Sequence, residues 1–194
     1  ITAAVIFADT QLGDLETVAL YPLRRLGGLT LLERAIHTAE QAGVRICYVV
    51  GLPEIPNIRW PANSTSRCRV ICLKDRDSRA SLVPLDGLVL VFAVDVVFSV
   101  TLAQTLDTWL TRTAAPSVHI PDVPLAVVHP SVLTTGAWDR WRTPQQSADS
   151  LAVAPEQHFV RWLEPTISVA EVEQELLVVL VNPQDGFLDR HVPT

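Results

Sequence analysis

The sequence lacks the features that mark several large classes of protein. Acidic residues outnumber basic ones, 21 against 15, and the net charge of −6 argues against nucleic acid as a partner. The longest apolar runs, residues 88–93 and 176–181, are far too short to cross a membrane. No basic segment followed by an apolar one opens the sequence, so we expect no secretory signal.

Cysteine and histidine are too sparse and too scattered to predict a metal centre. The three cysteines form no CxxC, and Cys68 and Cys72 have no histidine or second cysteine pair nearby to complete a zinc site. Cys47 lies in an apolar run and is predicted to be buried. The five histidines show neither HxH nor HExxH spacing, and His37 is predicted to be exposed on a helix. This cysteine usage fits a reducing compartment, so we expect a cytoplasmic location, free or as the cytoplasmic domain of a membrane protein.

The residues that are present predict one α/β domain. A chain of 194 residues with 48% hydrophobic residues can form a single sizeable core. Residues 3–8 form a continuous apolar run, which is typical of a strand buried on both faces. Thr30 and Glu33 form a capping box that starts a helix over 31–42, and Gly43 is expected to end it.

A second apolar strand over 44–50 follows this helix. The order strand, loop, helix, strand favours a parallel pair joined by a right-handed crossover. We therefore expect a Rossmann-like fold with a mostly parallel central sheet flanked by helices. Ser99 is expected to cap a helix whose apolar side carries Leu102, Leu106, Trp109 and Leu110. Further strands are predicted at 69–73, 88–94, 125–128 and 158–163, and further helices at 138–142 and 169–181.

The strongest candidate for chemistry is Asp95. It follows the most strand-like run in the sequence, and the carboxyl ends of strands in α/β sheets face the crevice where ligands bind. A carboxylate there is suited to hold Mg²⁺ on a substrate phosphate, because hard cations prefer oxygen ligands. The alternative is an aspartate whose oxygens only accept hydrogen bonds from nearby backbone amides.

The loop after the first strand has the position of a phosphate-binding loop but little of its chemistry. Such loops use glycines, so that backbone amides can approach the anion, and often a basic side chain. Between Asp9 and Leu26 there is one glycine, Gly13, and the only basic residues are Arg24 and Arg25. An ordinary surface loop is the alternative.

Several of these segments together resemble the nucleotidyltransferase superfamily with the MobA-like, nucleotide-diphospho-sugar transferase fold. The resemblance covers residues 3–110. It is carried by Pro22-Leu23 with Gly27-Gly28, by the helix start from Leu31 to Ile36, by Ala42 to Val44, and by Asp95 with Phe98. Residues 170–191 resemble the junction at which a cytidylyltransferase domain is followed by a membrane CDP-alcohol phosphatidyltransferase domain, as in inositol-phosphate cytidylyltransferase fusions. On this basis we expect a nucleotidyltransferase-like domain at 1–182 and a linker at 183–194.

The resemblance implies attack of a sugar- or alcohol-phosphate on the α-phosphate of CTP or another nucleoside triphosphate, with release of pyrophosphate. It implies Mg²⁺ as cofactor, held by Asp95, and a nucleotide-binding loop that includes Ala8, Asp9 and Gly13. The glycine-rich signature of the family is replaced by Thr10 to Asp14, and Tyr21 occupies the lysine position. Arg24 and Arg25 would then supply the catalytic positive charge.

Two hypotheses follow from these matches and departures. In the first, the domain is a divergent enzyme that transfers a nucleotidyl group, which the cytidylyltransferase resemblance implies is CMP. In the second, it is a catalytically inactive binding module attached to a CDP-alcohol phosphatidyltransferase. The first requires Arg24, Arg25 and Asp95 to converge on one pocket.

Overall fold

The computed structural model describes residues 1–8, 25–26, 28–52, 57–58, 68–73, 86–133, 151–152, 158 and 160–163. Within them the strands are β1 Ala3–Phe7, β2 Arg25–Leu26, β3 Leu29–Thr30, β4 Ile46–Val50, β5 Arg69–Leu73, β6 Val89–Ala93, β7 Val96–Phe98, β8 Ser117–His119, β9 Leu125–Val128, β10 Leu151–Ala152 and β11 Val160–Trp162. The helices are α1 Leu31–Gln41, α2 Val100–Arg112 and α3 Pro130–Leu133.

Seven strands form one central sheet, in the order β10-β8-β9-β6-β1-β4-β5. The neighbours β6, β1, β4 and β5 are parallel, as the strand and helix order predicts. The strand β9 is antiparallel to both β6 and β8, so it runs against the rest of the sheet. The predicted mostly parallel α/β sheet is therefore confirmed.

Alternate residues of the central strands divide the core into two layers. One layer joins Ala4, Ile6 and Leu90 to the apolar faces of α1 and α2. The other joins Val5, Phe7 and the facing residues of neighbouring strands, and Leu133 of α3 belongs to it. Helices thus pack on both faces of the sheet, which explains why β1 reads as a continuous apolar run rather than an alternating one.

The helix α1 begins and ends as predicted. The Thr30 hydroxyl accepts a hydrogen bond from the Glu33 backbone N–H at 3.1 Å, and the Glu33 carboxylate accepts one from the Thr30 N–H at 2.8 Å. Gly43 follows the helix at φ +98°, a conformation that glycine adopts without strain. The prediction for His37 is wrong, because this side chain is buried, as are its neighbours Arg34 and Thr38.

The helix α2 also has the predicted cap, since the Ser99 hydroxyl accepts a hydrogen bond from the Leu102 backbone N–H at 3.3 Å. Leu102, Leu106 and Leu110 are buried as expected. Trp109 is not part of this apolar face, because 48% of its surface remains exposed. It lies one position before Leu110, on the edge of the helix that turns towards solvent.

Some features of the fold differ from the sequence prediction or lie outside the described residues. The strands β2 and β3 form a short antiparallel hairpin, with Arg25 opposite Thr30 and Leu26 opposite Leu29, where only a loop was expected. Gly28 has φ +80°, which a tight hairpin turn requires.

The predicted helices at 138–142 and 169–181 and the predicted linker at 183–194 lie outside the described residues. Among the described residues, no helix has the length and apolar character needed to span a membrane.

Candidate functional site

The carboxyl ends of β1, β4 and β6 lie side by side at one edge of the sheet. Phe7, the last residue of β1, pairs with Val50 of β4 and with Ala93 of β6. The Ala8 N–H continues this pairing by donating to the Val50 carbonyl oxygen at 2.9 Å, and the Val94 N–H donates to the Phe7 carbonyl oxygen at 2.8 Å. This edge is where open α/β sheets bind ligands.

Asp95 lies in the tight turn that joins β6 to β7 at this edge. Only 3% of its surface is exposed. A buried carboxylate is costly unless other groups or a cation compensate its charge. Phe92 before the turn and Phe98 after it pack edge to face, with ring centroids 5.0 Å apart, which fixes the geometry of the turn. Asp95 is therefore a buried acidic residue at a rigid position beside the end of β1.

A second segment reaches Asp95 from much later in the chain. The strand β11 pairs antiparallel with β7, and the Leu163 N–H donates to the Asp95 carbonyl oxygen at 2.9 Å. The alternating pattern predicts a strand at 158–163 but indicates no partner for it. Nothing in its apolar pattern identifies β7 as that partner, because β7 has only three residues and follows β6 after a two-residue turn.

The reversed strand β9 completes this part of the edge. Because it runs against β6, its beginning lies next to the end of β6, where the Ala93 N–H donates to the Pro124 carbonyl oxygen at 3.1 Å. The turn at 121–124 therefore borders the candidate site. Asp122 in this turn is exposed and has φ +61°, a left-handed conformation that aspartate tolerates better than most residues.

The predicted site residues are only partly within the described residues. Ala8 and Asp95 lie at the ends of neighbouring strands, as expected. Arg25 lies on the hairpin strand β2 with an exposed side chain, and within the described part of the chain it forms no ion pair with Asp95. Asp9, Gly13 and Arg24 lie outside the described residues, so convergence of the two arginines on Asp95 stays a prediction.

Asp95 fits the role of a single Mg²⁺ ligand. Across the described ranges there is no group of three or more histidine, cysteine or acidic side chains able to hold a metal ion. Mg²⁺ bound with a nucleotide needs only one or two carboxylates, because phosphate oxygens and water occupy its other positions. A buried carboxylate at the ligand edge of the sheet has the right chemistry for that arrangement.

Comparison with known proteins shows similarity at the level of structure. No protein-family model and no curated protein matches the sequence. The structure is similar to that of 4-diphosphocytidyl-2C-methyl-D-erythritol synthase from Anaerococcus prevotii, with 12% identity, coverage of 91% of this chain and 96% of that chain, and a TM-score of 0.62.

Two further structures give the same result. A glucose-1-phosphate thymidylyltransferase candidate from Bacillus anthracis, solved with sucrose, is 8% identical over 90% of this chain and 95% of that chain, with a TM-score of 0.62. HddC from Yersinia pseudotuberculosis, solved with GMP-PN, is 8% identical over 91% of this chain and 100% of that chain, with a TM-score of 0.58. Together these similarities confirm the expected nucleotide-diphospho-sugar transferase fold.

Proposed function

We propose that this domain transfers a nucleotidyl group, CMP in the first instance, from a nucleoside triphosphate to a sugar- or alcohol-phosphate. An oxygen of the acceptor phosphate attacks the α-phosphorus, the bond to the β-phosphate breaks, and pyrophosphate leaves. The proteins that share the fold include a glucose-1-phosphate thymidylyltransferase candidate and a 4-diphosphocytidyl-2C-methyl-D-erythritol synthase, and these names support this class of reaction. A cytoplasmic location, where nucleoside triphosphates are available, belongs to the same proposal.

The observation that carries the proposal is the buried position of Asp95 at the ligand edge of the sheet. Acidic side chains are seldom this deeply buried, and this one lies at the edge where open α/β sheets bind their ligands. Asp95 would hold Mg²⁺, which when bound neutralises phosphate charge during the transfer. Ala8, whose N–H donates to the Val50 carbonyl oxygen and whose side chain is buried in the core, can place only its carbonyl against the nucleotide.

The remaining predicted residues supply the binding loop and the positive charge. Asp9 and Gly13 belong to the segment that follows Ala8 in the sequence and would contact the nucleotide. Arg24 and Arg25 would bind the phosphates, in the place of the lysine that the sequence lacks there. Guanidinium groups suit this role because they donate two parallel hydrogen bonds to phosphate oxygens.

The second candidate function is a catalytically inactive binding module, attached through residues 183–194 to a CDP-alcohol phosphatidyltransferase. The composition of the first loop favours it, because Gly13 is the only glycine between Asp9 and Leu26 and no lysine is present there. Loss of backbone amides and of a cation near the phosphates removes several kcal/mol of charge stabilisation by ordinary estimates, on the order of 3 kcal/mol for each donor.

Calorimetry with Mg²⁺ and each of ATP, GTP, CTP and UTP tests the first candidate. We expect one triphosphate to bind, with CTP as the first choice, and binding to weaken when Mg²⁺ is omitted. Absence of binding by all four would leave the inactive module as the better description. Pyrophosphate release in the presence of a panel of sugar- and alcohol-phosphates then identifies the acceptor.

Substitution of Asp95 separates catalysis from binding alone. We expect Asp95→Asn to lower pyrophosphate release at least about 100-fold, because it removes the charge that would hold the metal while keeping the side-chain shape. Asp86→Asn is the matched control. Asp86 is exposed and lies just before β6 begins, at the edge of the sheet opposite the candidate site. Unchanged release by Asp95→Asn would contradict the assigned role.

A further inference from the structure

Two buried cysteines from different strands touch each other on the side of the sheet that faces α1. Cys47 is the second residue of β4, and Cys68 immediately precedes β5. Their sulfur atoms are 3.6 Å apart and both thiols are free. The Arg69 N–H donates to the Arg45 carbonyl oxygen at 2.8 Å and so begins the pairing of β5 with β4 directly after Cys68.

The surroundings of the two thiols are unequal. Cys47 is fully buried, whereas Cys68 keeps 7% of its surface exposed. The hydrogen bond with Cys68 and burial raise the pKa of Cys47. The hydrogen bond that Cys47 can donate to a Cys68 thiolate lowers the pKa of Cys68, against the opposing effects of burial and of the negative charge of Glu40. The thiol that ionises first is thus also the less deeply buried of the two.

We propose that Cys47 and Cys68 are a redox modification site, at which the two thiols form a reversible intramolecular disulfide. The oxidant is a low-molecular-weight disulfide. The Cys68 thiolate attacks one of its sulfurs, the S–S bond of the oxidant breaks, and one thiolate leaves. Cys47 then loses its proton, its sulfur attacks Cys68 in the mixed disulfide, and the second small thiolate leaves. Two electrons and two protons pass from the cysteines to the oxidant, which becomes two thiols.

The second step requires a movement of the backbone as well as of the side chains. The sulfurs must approach from 3.6 Å to roughly 2.05 Å. Because Ile46 pairs with Arg69, Cys47 and Cys68 are diagonal neighbours across β4 and β5, so the backbone at Cys68 must shift towards Cys47 for the bond to form. The cross-link would close a loop between positions 21 apart in the sequence. A cross-link of that size restricts the unfolded chain, so the oxidised form should be the more stable one.

Cys72 provides a matched control. It lies on β5, is partly exposed, and donates a hydrogen bond from its sulfur to the Leu52 carbonyl oxygen at 2.8 Å. It therefore has the better access to solvent but is not in contact with Cys47 or Cys68 in the described part of the chain. If exposure alone decided oxidation, Cys72 would react first.

The test equilibrates the full chain in buffers of oxidised and reduced glutathione, blocks the remaining thiols by alkylation, and maps peptides by mass spectrometry. We expect a peptide pair joined through Cys47 and Cys68 that lacks two hydrogens and separates on reduction. Cys72→Ser should leave this pair intact, and the oxidised chain should melt several degrees above the reduced one in both proteins.

Three results would overturn the proposal: alkylation of both cysteines under oxidising buffer, a glutathione adduct on Cys68 that persists, or a cross-link that includes Cys72. Cys68→Ser should abolish both the cross-link and the shift in melting temperature. Because the comparison of the natural chain with Cys72→Ser alters neither member of the pair, it gives an answer even if Cys68→Ser fails to fold. None of these measurements depends on nucleotide binding.

Discussion

At the scale of single residues, Tyr48 is a buried polar group without an evident partner. Its side chain is fully buried on β4, and its hydroxyl has no hydrogen-bond partner among the residues that the structure describes. Burial of such a hydroxyl costs about 1–3 kcal/mol in proteins. We expect Tyr48→Phe to raise the free energy of unfolding by about 1 kcal/mol at neutral pH. A loss of stability in urea unfolding would show that the hydroxyl has a partner.

The same residue predicts a dependence of stability on pH. Burial raises the pKa of Tyr48 above its usual value of 10.0, and the nearby charge of Arg69 offsets this only in part. Above about pH 10 the unfolded chain therefore loses the Tyr48 proton while the folded chain keeps it. The free energy of unfolding should fall there, by up to about 1.4 kcal/mol per pH unit from this group. Tyr48→Phe should show a smaller fall, as measured by urea unfolding at pH 9–11.

Single residues also show what a sequence can and cannot predict. Asp95 was identifiable because a buried strand of uniform apolar character ends in one acidic residue. His37 was predicted to be exposed because its helix has a polar side, but that side is buried as well, which no property of the helix itself reveals. The contact between Cys47 and Cys68 depends on the pairing of two strands and so has no local signal.

At the scale of elements, the capping box of α1 should contribute measurably to stability. Thr30→Ala removes the hydroxyl that accepts a hydrogen bond from the Glu33 N–H, which is one of the two bonds of the box. We expect this substitution to lower the free energy of unfolding by about 1 kcal/mol. The double variant with Glu33→Ala should cost less than the sum of the two single variants, because both remove one motif.

Thr108→Ala is the control for this prediction. Thr108 is exposed within α2, and its hydroxyl donates to the Gln104 carbonyl oxygen at 2.8 Å, so it caps nothing. Alanine is the better helix former there, and the variant should be neutral or slightly more stable in urea unfolding. Equal losses from Thr30→Ala and Thr108→Ala would show that the cap has no special effect.

Elements with strong local signals were predictable, whereas those defined by a partner were not. The caps of α1 and α2 and the strands β1, β4, β5 and β6 follow from side-chain chemistry and apolar runs near each residue. The short strands β2, β3 and β7 exist because another segment pairs with them. The two consecutive glycines in the sequence between Leu26 and Leu29 are the available signal for the hairpin, because glycine suits tight turns.

At the scale of the whole molecule, the centre of the sheet should be its most stable part. The strand β1 pairs on both sides, with β4 and β6, and all five of its residues are buried. Native-state hydrogen exchange should therefore be slowest in β1 and β6, with opening free energies that approach that of global unfolding, about 5–15 kcal/mol. The edge strand β5 should exchange faster. Rapid exchange in β1 would contradict this order of stability.

The overall class of the sheet was predictable from the sequence, but the direction of one strand was not. Alternation of strands and helices predicts parallel neighbours, and β1, β4, β5 and β6 are parallel. The strand β9 has the same apolar character as its neighbours, and its antiparallel direction follows from its path after α2 and β8. The parts of the candidate site, namely the end of β1, the turn that contains Asp95 and the turn at 121–124, are far apart in the sequence. They lie close together only because of the path that the chain takes through the sheet.

The reversed direction of β9 allows the turn before it to change in length and sequence without a change in the sheet. A parallel strand brings only its final residue to the ligand edge, so a change there also alters the crossover that follows. Because β9 begins at that edge, the turn at 121–124 can be lengthened or exchanged while the strand after it keeps its pairing with β6 and β8. Loops grafted between Ile120 and Leu125 would therefore change the border of the candidate site while the sheet keeps its pairing.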